Sequence, residues 1–362
     1  MTRVFLLGAP GGGGEEVFVR DLAASPPPGV EYSLALQHHE SVPLARARTA
    51  EEVLFNRVVQ PFLWPLLGLR SYEVSSEVDL IHVHNYPTRL RMPEPRPVVY
   101  SVGGSGYPHY LETYLGWSEE RVRARYHRAR SIYKKLGIRS ELATHEWVDG
   151  VVVFSTYAAD RLAAFCVPRA KIHVIPPGFE VPPSVRTAHE GPFTFVLVGR
   201  EPLRKGADLA VEAIRSLRAQ GLAVRLRLVG DAEYSGWTAD GIEGYGTVPR
   251  DALFSDFYDR ADAVLVPSRA EGYGFAAVEA MGMGLPVIVS RRDALPEIVG
   301  DAAMVVEPEA RALADAMAAL ATDPSGAQEL GVRARGRFQA CFTRTKARAA
   351  LGSLYRTLLE GR

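Results

Sequence analysis

Short apolar runs alternate with helical stretches along the whole chain, and this alternation limits the possible folds more than any other feature. Strands of a parallel sheet are buried on both faces, so they read as continuous apolar runs, and a helix usually joins each strand to the next. One series of runs lies between residues 4 and 175, and a second series begins at residue 193. The pattern therefore predicts an α/β chain with one parallel sheet in each half.

A proline-rich segment separates the two series of strands. Four prolines and a glycine lie between residues 176 and 183, where they oppose both helix and sheet. A chain of 362 residues is also longer than a usual single domain. We expect an N-terminal domain over residues 1–177, a linker over 178–191 and a C-terminal domain over 192–342. Residues 343–362 have a helical pattern and are expected to return to the N-terminal domain.

The charge balance and the cysteine content exclude several classes of protein. Lys plus Arg and Asp plus Glu both number 42, so the net charge is zero and does not attract the protein to nucleic acid. The only two cysteines are Cys166 and Cys341, too few for a disulfide framework or a cysteine-rich zinc site. No apolar run approaches the roughly 18 residues of a membrane-spanning helix. We expect a cytoplasmic protein.

Arg200 and Lys205 are two of the three basic residues in the loop GREPLRKG, which follows the predicted strand FTFVLV and precedes a predicted helix. Open α/β sheets bind ligands at the carboxyl ends of their strands, and a helix N-terminus favours an anion. Arg200 and Lys205 therefore predict a diphosphate site. The alternative is a solvated loop with ordinary basic residues.

The segment AEGYGFAAVEAMGMG carries two glutamates, Glu271 before a predicted helix and Glu279 on it. Its glycines leave backbone N–H groups uncovered, and these groups are able to bind sugar hydroxyls while a carboxylate accepts from a ribose diol. Carboxylates near a helix N-terminus are also simple complements of the helix dipole. That alternative does not explain the two glycines that flank an aromatic residue.

A glycine-rich turn follows the first predicted strand in GAPGGGGEE. Backbone N–H groups of Gly12 and Gly13 are predicted to contact a phosphate or a sugar, and a tight strand-to-helix turn is the alternative. The second strand ends near Gln37 without the acidic residue that a nicotinamide site requires, which argues against a dehydrogenase.

These motifs resemble glycosyltransferase family 4, and the resemblance extends over nearly the whole chain, including VDLIHVHNYP, VIPPGFEV, LVGDAE and LPEIVGDAAMVVEP. It implies the GT-B fold, in which two Rossmann-like domains face each other across a cleft. It also implies a retaining transfer from a nucleotide sugar, with no cofactor and no metal, because two cations and a helix end stabilise the leaving diphosphate. The product is expected to form by same-face attack, since no carboxylate nucleophile is evident.

The resemblance also implies the roles of single residues. Arg200 and Lys205 would bind the diphosphate, Glu279 the ribose, Glu271 the transferred sugar, and the segment around Val248 the nucleobase. The expected donor-binding residues are Gly12, Gly13, Gly199, Arg200, Lys205, Val248, Glu271, Gly272, Tyr273, Gly274, Phe275 and Glu279.

One departure concerns a histidine that many family members carry after the strand PVVYSV, where this chain has Gly103 and Gly104. We expect His109 to take its catalytic place beside Arg200, Lys205 and Glu271; an ordinary surface or core histidine is the alternative.

The acceptor is expected to contact His84, Asn85 and Tyr107. His82 and His84 are two apart on one strand, so both point to the same face. Simple packing of His84 is an equal alternative to acceptor binding.

A basic helix is predicted within residues 118–139, which contain eight Lys or Arg and two Glu. Its apolar stripe predicts either a solvated face over a packed stripe or a peripheral contact with anionic membrane at the inner face. Two other functions fit the fold: an epimerase of nucleotide sugars, which needs no acceptor, and a catalytically silent binding protein.

Overall fold

The computed structural model describes residues 1–8, 14–36, 71–84, 89–104, 117–135, 147–165, 167–182 and 191–361. The chain divides into two compact units. The first unit contains Met1–Pro176 together with Ala347–Arg362, and the second contains Pro177–Lys346. Predictions were also made for residues outside the described ranges, namely Gly12, Gly13, Asn85, Tyr107 and His109.

The first unit has a six-stranded parallel sheet in its described part, with the strand order β2-β1-β4-β6-β7-β8. Its strands are β1 (Thr2–Gly8), β2 (Val30–Leu36), β4 (Leu80–His84), β6 (Val98–Val102), β7 (Gly150–Val153) and β8 (Ile172–Val174). A separate parallel pair is formed by β3 (Ser71–Glu73) and β5 (Arg89–Arg91). The described helices are α1 (Gly14–Ala24), α2 (Glu119–Lys135), α3 (Thr156–Ala164) and the C-terminal α10 (Arg344–Glu360), which belongs to this unit from Ala347 onward.

The second unit has a parallel sheet of six described strands in the order β11-β10-β9-β12-β13-β14. These strands are β9 (Phe193–Val198), β10 (Val224–Val229), β11 (Ile242–Tyr245), β12 (Ala263–Val266), β13 (Val287–Ser290) and β14 (Met304–Val306). The helices are α4 (Ala207–Ala219), α5 (Arg250–Ala252), α6 (Phe275–Gly282), α7 (Leu295–Val299), α8 (Ala310–Thr322) and α9 (Pro324–Cys341). Residues Leu253–Tyr258 continue α5 with π-helical geometry.

Each sheet is buried because its central strands carry apolar side chains on both faces. All five residues of β4 and of β6 are buried, as are all four of β12 and of β13. At about 25 cal/mol per Å² of apolar area removed from water, this burial is the main favourable contribution to folding in both units.

The predicted α/β class with two parallel sheets is confirmed. Strand β11 was not predicted from its sequence IEGY, because only Ile242 is buried while Glu243, Gly244 and Tyr245 stay partly exposed at the sheet edge. The short pair β3 and β5 was missed for a similar reason, since SYE and RLR contain no apolar run. Among the described helices, none is both long enough and apolar enough to cross a membrane.

Candidate active site

Most of the predicted donor-binding residues of the second unit lie in loops at the carboxyl ends of strands, while Phe275 and Glu279 lie on helix α6, which follows one of these loops. Gly199 and the basic loop follow β9, and the segment from Ser268 to Gly274 follows β12. The loop with Asp293 follows β13, the next strand of the sheet. This edge is where open α/β sheets place their ligands.

Lys205 and Glu271 form a buried ion pair at this edge. Lys205 Nζ lies 2.5 Å from Glu271 Oε2, and the two side chains are 14% and 9% exposed. The residues are 66 positions apart in the sequence, so the pair exists only because β9 and β12 are neighbours in the sheet. The structure therefore brings together two residues that the sequence predicted for the site.

Two further groups fix the position of Glu271. The Ser268 hydroxyl donates to Glu271 Oε2 at 3.0 Å, and the backbone N–H of Glu271 donates to Asp293 Oδ2 at 2.7 Å. Asp293 holds a left-handed backbone with φ +49°, which is unfavourable for a non-glycine residue. Both ends of the Glu271 residue, backbone and carboxylate, are thus bound by the protein.

The charge state of Glu271 follows from its neighbours. Burial by itself raises the pKa of this carboxyl, but the positive charges of Lys205 and Arg204 and the hydrogen bonds from Lys205 and Ser268 outweigh it. The pKa of Glu271 is therefore held below its usual range. At neutral pH the residue is a carboxylate that accepts hydrogen bonds.

Two glycines allow the loops of this edge to approach closely. Gly206 has φ +71°, and a Cβ there would lie 2.2 Å from the carbonyl oxygen of Pro267. Gly274, directly before α6, has φ +99°, and its Cβ would lie 2.7 Å from Leu295 Cδ2. Any side chain at either position would push the basic loop or the start of α6 away from its neighbour.

Glu279 is bound by residues of a different segment. Arg250 Nη1 donates to its Oε1 at 2.7 Å, and the Tyr258 hydroxyl donates to its Oε2 at 3.2 Å. The Glu279 side chain is 6% exposed. Burial, followed by the charge of Glu279, raises the pKa of Tyr258 well above its usual value, so this phenol remains a donor. Glu279 still has lone pairs available, because an ionised carboxylate accepts about four hydrogen bonds.

The remaining predicted donor residues of the second unit lie on the same edge. Arg200 is exposed beside Gly199, whose N–H donates to Val229 O at 2.9 Å. Thr247, next to the half-buried Val248, donates from its hydroxyl to Gly230 O at 3.3 Å. Loops after β9, β10 and β11 are thereby joined.

In the segment 272–275, the Tyr273 side chain is buried, whereas Phe275 is partly exposed. Tyr273 is 2% exposed, and its ring is parallel to Phe179 and edge-on to Phe275. The Tyr273 ring thus packs inside the second unit. The contact of the backbone of Gly272 to Phe275 with a sugar stays a prediction.

In the first unit, His84 is 1% exposed and packs between two aromatic rings. Its ring centroid lies 4.7 Å from that of Phe18 and 6.1 Å from that of Phe154. His82 and His84 both contact the Ser101 hydroxyl, which confirms that they share one face of β4. The described contacts of His84 are packing and hydrogen bonding within the unit, and its acceptor role stays a prediction.

Sequence reasoning missed several residues of the site. Arg250, Tyr258, Ser268 and Asp293 contact the two glutamates but belong to no motif that carries a recognisable chemistry. A signal existed only for Ser268, which lies three residues before Glu271 at the end of a strand. Within the described ranges, no group of three or more His, Cys, Asp or Glu is arranged to hold a metal ion.

Comparison with known proteins places this site in a family. The family described as "Glycosyltransferase Family 4" matches residues 12–181, and the family described as "Glycosyl transferases group 1" matches residues 192–323. The chain belongs to the group 1/family 4 glycosyltransferases. The predicted resemblance is thus confirmed, and the second match contains the Lys205–Glu271 pair and Glu279.

Two relatives illustrate the range of this glycosyltransferase family. The putative colanic acid biosynthesis glycosyltransferase WcaL of Escherichia coli is 31% identical over 58% of this chain and 57% of its own length. A glycogen synthase of Mycobacterium tuberculosis is 27% identical over 60% of this chain and 58% of its own length. The chain spans less than two thirds of the length of these curated relatives.

Two solved structures match nearly the whole length of this chain. Sucrose-phosphate synthase from Thermosynechococcus elongatus has a TM-score of 0.69 at 21% identity, covering 100% of both chains. Anabaena HepE, in a complex with UDP and glucose, has a TM-score of 0.66 at 15% identity, covering 99% of this chain and 100% of that one. These likenesses show the fold, and the predicted GT-B class with two Rossmann-like domains is confirmed.

Proposed function

We propose that this chain is a retaining glycosyltransferase that moves a sugar from a nucleoside-diphosphate sugar to an acceptor hydroxyl. The observation that carries the proposal is the buried Lys205–Glu271 pair at the carboxyl edge of the second sheet, with Arg200 on the same loop as Lys205. Family membership and the complexes of HepE with UDP support a nucleotide sugar as the donor. The first unit is proposed to bind the acceptor.

Lys205 and Arg200 supply positive charge where the diphosphate leaves. A lysine already held by Glu271 costs little reorganisation when it turns one N–H toward a phosphate oxygen, because its ammonium has three donors. Arg200 adds a guanidinium fork that matches phosphate oxygens. These two cations and the nearby helix start of α4 are the basis for proposing a transfer that needs no metal and no cofactor.

Retention is proposed from the family resemblance, and the contacts of Glu271 favour a same-face route over a covalent one. Glu271 Oε2 already accepts from Lys205 and Ser268, so this carboxylate suits hydrogen bonds to sugar hydroxyls better than attack on the anomeric carbon. With no carboxylate assigned as nucleophile, the diphosphate leaves, an oxocarbenium-like sugar forms, and the acceptor hydroxyl enters on the side of the leaving group. The acceptor proton passes to a departing phosphate oxygen.

The stereochemistry of the product tests this proposal. A panel of nucleoside diphosphates is first screened by thermal shift, because binding stabilises the folded state by about 2.7 kcal/mol at 100 times the dissociation constant. NMR of the product made from the matching sugar donor is then expected to show the donor's anomeric configuration, also after treatment with a chelator. An inverted product would overturn the mechanism.

The same reactions separate the two alternative functions. Conversion of the donor to an epimer without any acceptor would identify an epimerase. Nucleotide binding without turnover, across a broad panel of acceptors, would identify a silent binding protein.

We also propose that helix α2 makes a peripheral contact with anionic membrane. Arg121, Arg128 and Lys135 are exposed on it, whereas Val122 is fully buried beneath. Arg123 is less available, because it pairs with Glu119 and donates to the carbonyl of Ala164. The contact would place the first unit near a lipid-linked acceptor.

Replacing Arg121, Arg128 and Lys135 with glutamine is expected to weaken binding to anionic liposomes at low salt. Each cation near such a surface contributes about 1 kcal/mol, and the attraction is screened within about 10 Å at 0.1 M salt. Sedimentation with vesicles rich in phosphatidylserine measures the bound fraction. The matched control changes the same number of exposed cations to glutamine on three helices of the second unit, at Arg215, Arg311 and Arg333. Equal binding of wild type and both variants would refute the contact.

A further inference from the structure

A continuous series of hydrogen bonds runs through the interior of the first unit. Tyr32 and Tyr355 are joined by their hydroxyls at 2.9 Å, and the Tyr355 oxygen lies 2.6 Å from His82 Nδ1. His82 Nε2 lies 2.7 Å from Ser101 Oγ, which in turn lies 2.8 Å from His84 Nδ1. The series links strands β2, β4 and β6 to the C-terminal helix α10.

The helix that carries Tyr355 is firmly attached to this unit. Arg348, which is 4% exposed, donates from Nε to the carbonyl of Ser25 and from Nη2 to Asp21 Oδ2, both at 2.6 Å. One turn later, Gly352 packs against Pro27, whose Cβ would lie 3.1 Å from a Cβ at position 352. Tyr355 is therefore held in a fixed place beneath the sheet.

Both histidines in the series are neutral at physiological pH. Burial lowers the pKa of His82 to about 3, and burial followed by the nearby His82 lowers the pKa of His84 to about 3. A neutral imidazole carries one proton, so one ring nitrogen donates and the other accepts. Each ring therefore has one of two tautomers.

The Ser101 hydroxyl couples the two tautomers. It has one proton, it is fully buried, and in the described part of the chain its side chain contacts only the two histidines. In the first arrangement, His82 Nε2 donates to Ser101 Oγ, and the Ser101 hydroxyl donates to His84 Nδ1. In the second arrangement, His84 Nδ1 donates to Ser101 Oγ, and the Ser101 hydroxyl donates to His82 Nε2. In both cases the two rings carry their protons on the same nitrogen, Nε2 in the first and Nδ1 in the second.

The contact with Tyr355 selects between these two arrangements. The Tyr355 oxygen lies 2.6 Å from His82 Nδ1, so the two groups share a short hydrogen bond whose direction depends on their chemistry. A phenol is a strong donor, whereas an imidazole lone pair is a strong acceptor. This chemistry favours donation from Tyr355 to His82 Nδ1 and, in turn, from Tyr32 to Tyr355.

We propose that Tyr355, acting through His82 and Ser101, fixes His84 as a neutral imidazole with its proton on Nε2. The partner of one ring nitrogen decides the state of the other. When His84 Nδ1 accepts from Ser101, the proton of the neutral ring lies on Nε2, and this nitrogen has no lone pair with which to take up a second proton. Tyr355, His82 and Ser101 are positioning residues in this arrangement.

This arrangement also limits the chemical role of His84 in acceptor binding. This part of the inference rests on the proposed function. A ring with its proton on Nε2 binds an oxygen as a hydrogen-bond donor but is not a general base for a hydroxyl. The acceptor side of this glycosyltransferase would then use His84 for orientation only. This fits a mechanism in which the leaving phosphate, and not a protein base, receives the acceptor proton.

Nitrogen-15 NMR of the protein with labelled histidine tests the tautomers directly. Two-bond and three-bond correlations at pH 7 distinguish Nε2–H from Nδ1–H rings, and His82→Asn and His84→Asn spectra assign the two residues among the nine histidines. We expect the Nε2–H pattern for both rings. An Nδ1–H pattern for either ring would overturn the proposal, and no substrate is needed for this measurement.

Two variants test the coupling. Ser101→Ala is expected to leave His82 as the Nε2–H tautomer. His84 is expected to populate both tautomers, so that its correlations no longer report a single one. Tyr355→Phe is expected to shift the resonance of His82 Nδ1, which loses an accepted hydrogen bond. Tyr234→Phe, which changes a buried tyrosine of the second unit, is the control and should leave both rings unchanged. A His82 Nδ1 resonance that does not move in Tyr355→Phe would refute the donor role of Tyr355.

Kinetics of Ser101→Ala separate this proposal from the proposed function. We expect its acceptor KM to rise by up to about tenfold, the loss of one hydrogen bond, while its donor KM is unchanged. A rise in the donor KM alone would overturn the acceptor-side role of His84 while the tautomer assignment stands. Absence of transfer in the wild type would overturn the proposed function and leave the NMR result intact.

Discussion

Replacing Lys205 with alanine is expected to slow sugar transfer by about 100- to 1,000-fold, the usual effect of removing one preorganised group that stabilises transition-state charge. The ammonium is held at 2.5 Å from Glu271 in a largely buried position, where its charge acts strongly on a leaving diphosphate. Binding of the nucleoside diphosphate should weaken as well. Steady-state kinetics and calorimetric titration measure the two effects.

This variant also leaves Glu271 buried without its partner, which is expected to lower the free energy of unfolding by about 3 kcal/mol. The double variant Lys205→Met with Glu271→Gln separates folding from catalysis, because it removes both charges and keeps similar side-chain volumes. Denaturant unfolding should show recovered stability, whereas transfer should stay slow. Recovery of transfer together with stability would mean that Lys205 serves the fold only.

A matched control for the lost cation is Arg218→Ala. Arg218 pairs with Asp240 at 2.6 Å and also donates to the carbonyl of Val224, the first residue of β10. It therefore lies at the amino end of the same sheet, away from the candidate site. Its removal should change turnover little; a loss as large as that of Lys205→Ala would point to a general effect of charge on the second unit.

The fold was predictable from sequence to the extent that strands are continuous apolar runs. Strands β4, β6, β9 and β12 lie in the two series of apolar runs, because buried parallel strands carry apolar side chains on both faces. Edge strand β11 could not be found in this way, since only Ile242 of its four residues is buried and the sequence IEGY contains no apolar run.

The candidate site was predictable where a motif joins charge to a strand end. Lys205 and Glu271 satisfied this condition, and the sheet order made them neighbours. Asp293 and Arg250 did not, because their roles depend on loops from other strands arriving at the same edge. A single sequence contains no local signal for contacts between separate loops. The side chains that orient a glutamate can therefore be identified only from the folded structure.

The two glutamates are expected to fail in different ways when each is changed to glutamine. Glu279→Gln should raise the donor KM by about tenfold or more with a small change in kcat, because a uniform binding contact is lost. Glu271→Gln should lower kcat by about tenfold or more, since the proposed partner of this carboxylate is the sugar that moves. Initial rates over a range of donor concentrations give both constants.

The structure supports this difference through the partners of each carboxylate. Glu279 accepts hydrogen bonds from Arg250 and Tyr258, which have no described hydrogen bond to Glu271. Glu271 Oε2 instead accepts from Lys205, which is proposed to bind the leaving diphosphate. Neutralising Glu271 therefore also changes the field that acts on the reacting phosphate. Neutralising Glu279 weakens the proposed ribose contact and changes the surroundings of Arg250 and Tyr258, which lie apart from Lys205.

The control for both substitutions is Glu243→Gln on β11. Glu243 accepts hydrogen bonds from Arg227 at 2.9 Å and from the Tyr245 hydroxyl at 2.9 Å, as Glu279 accepts them from an arginine and a tyrosine. Unlike Glu279, Glu243 is not predicted to bind the sugar donor. The control should keep both kinetic constants. If Glu271→Gln and Glu279→Gln showed the same pattern of loss, the division of roles would be wrong, because one shared defect in the loop that joins them would then explain both.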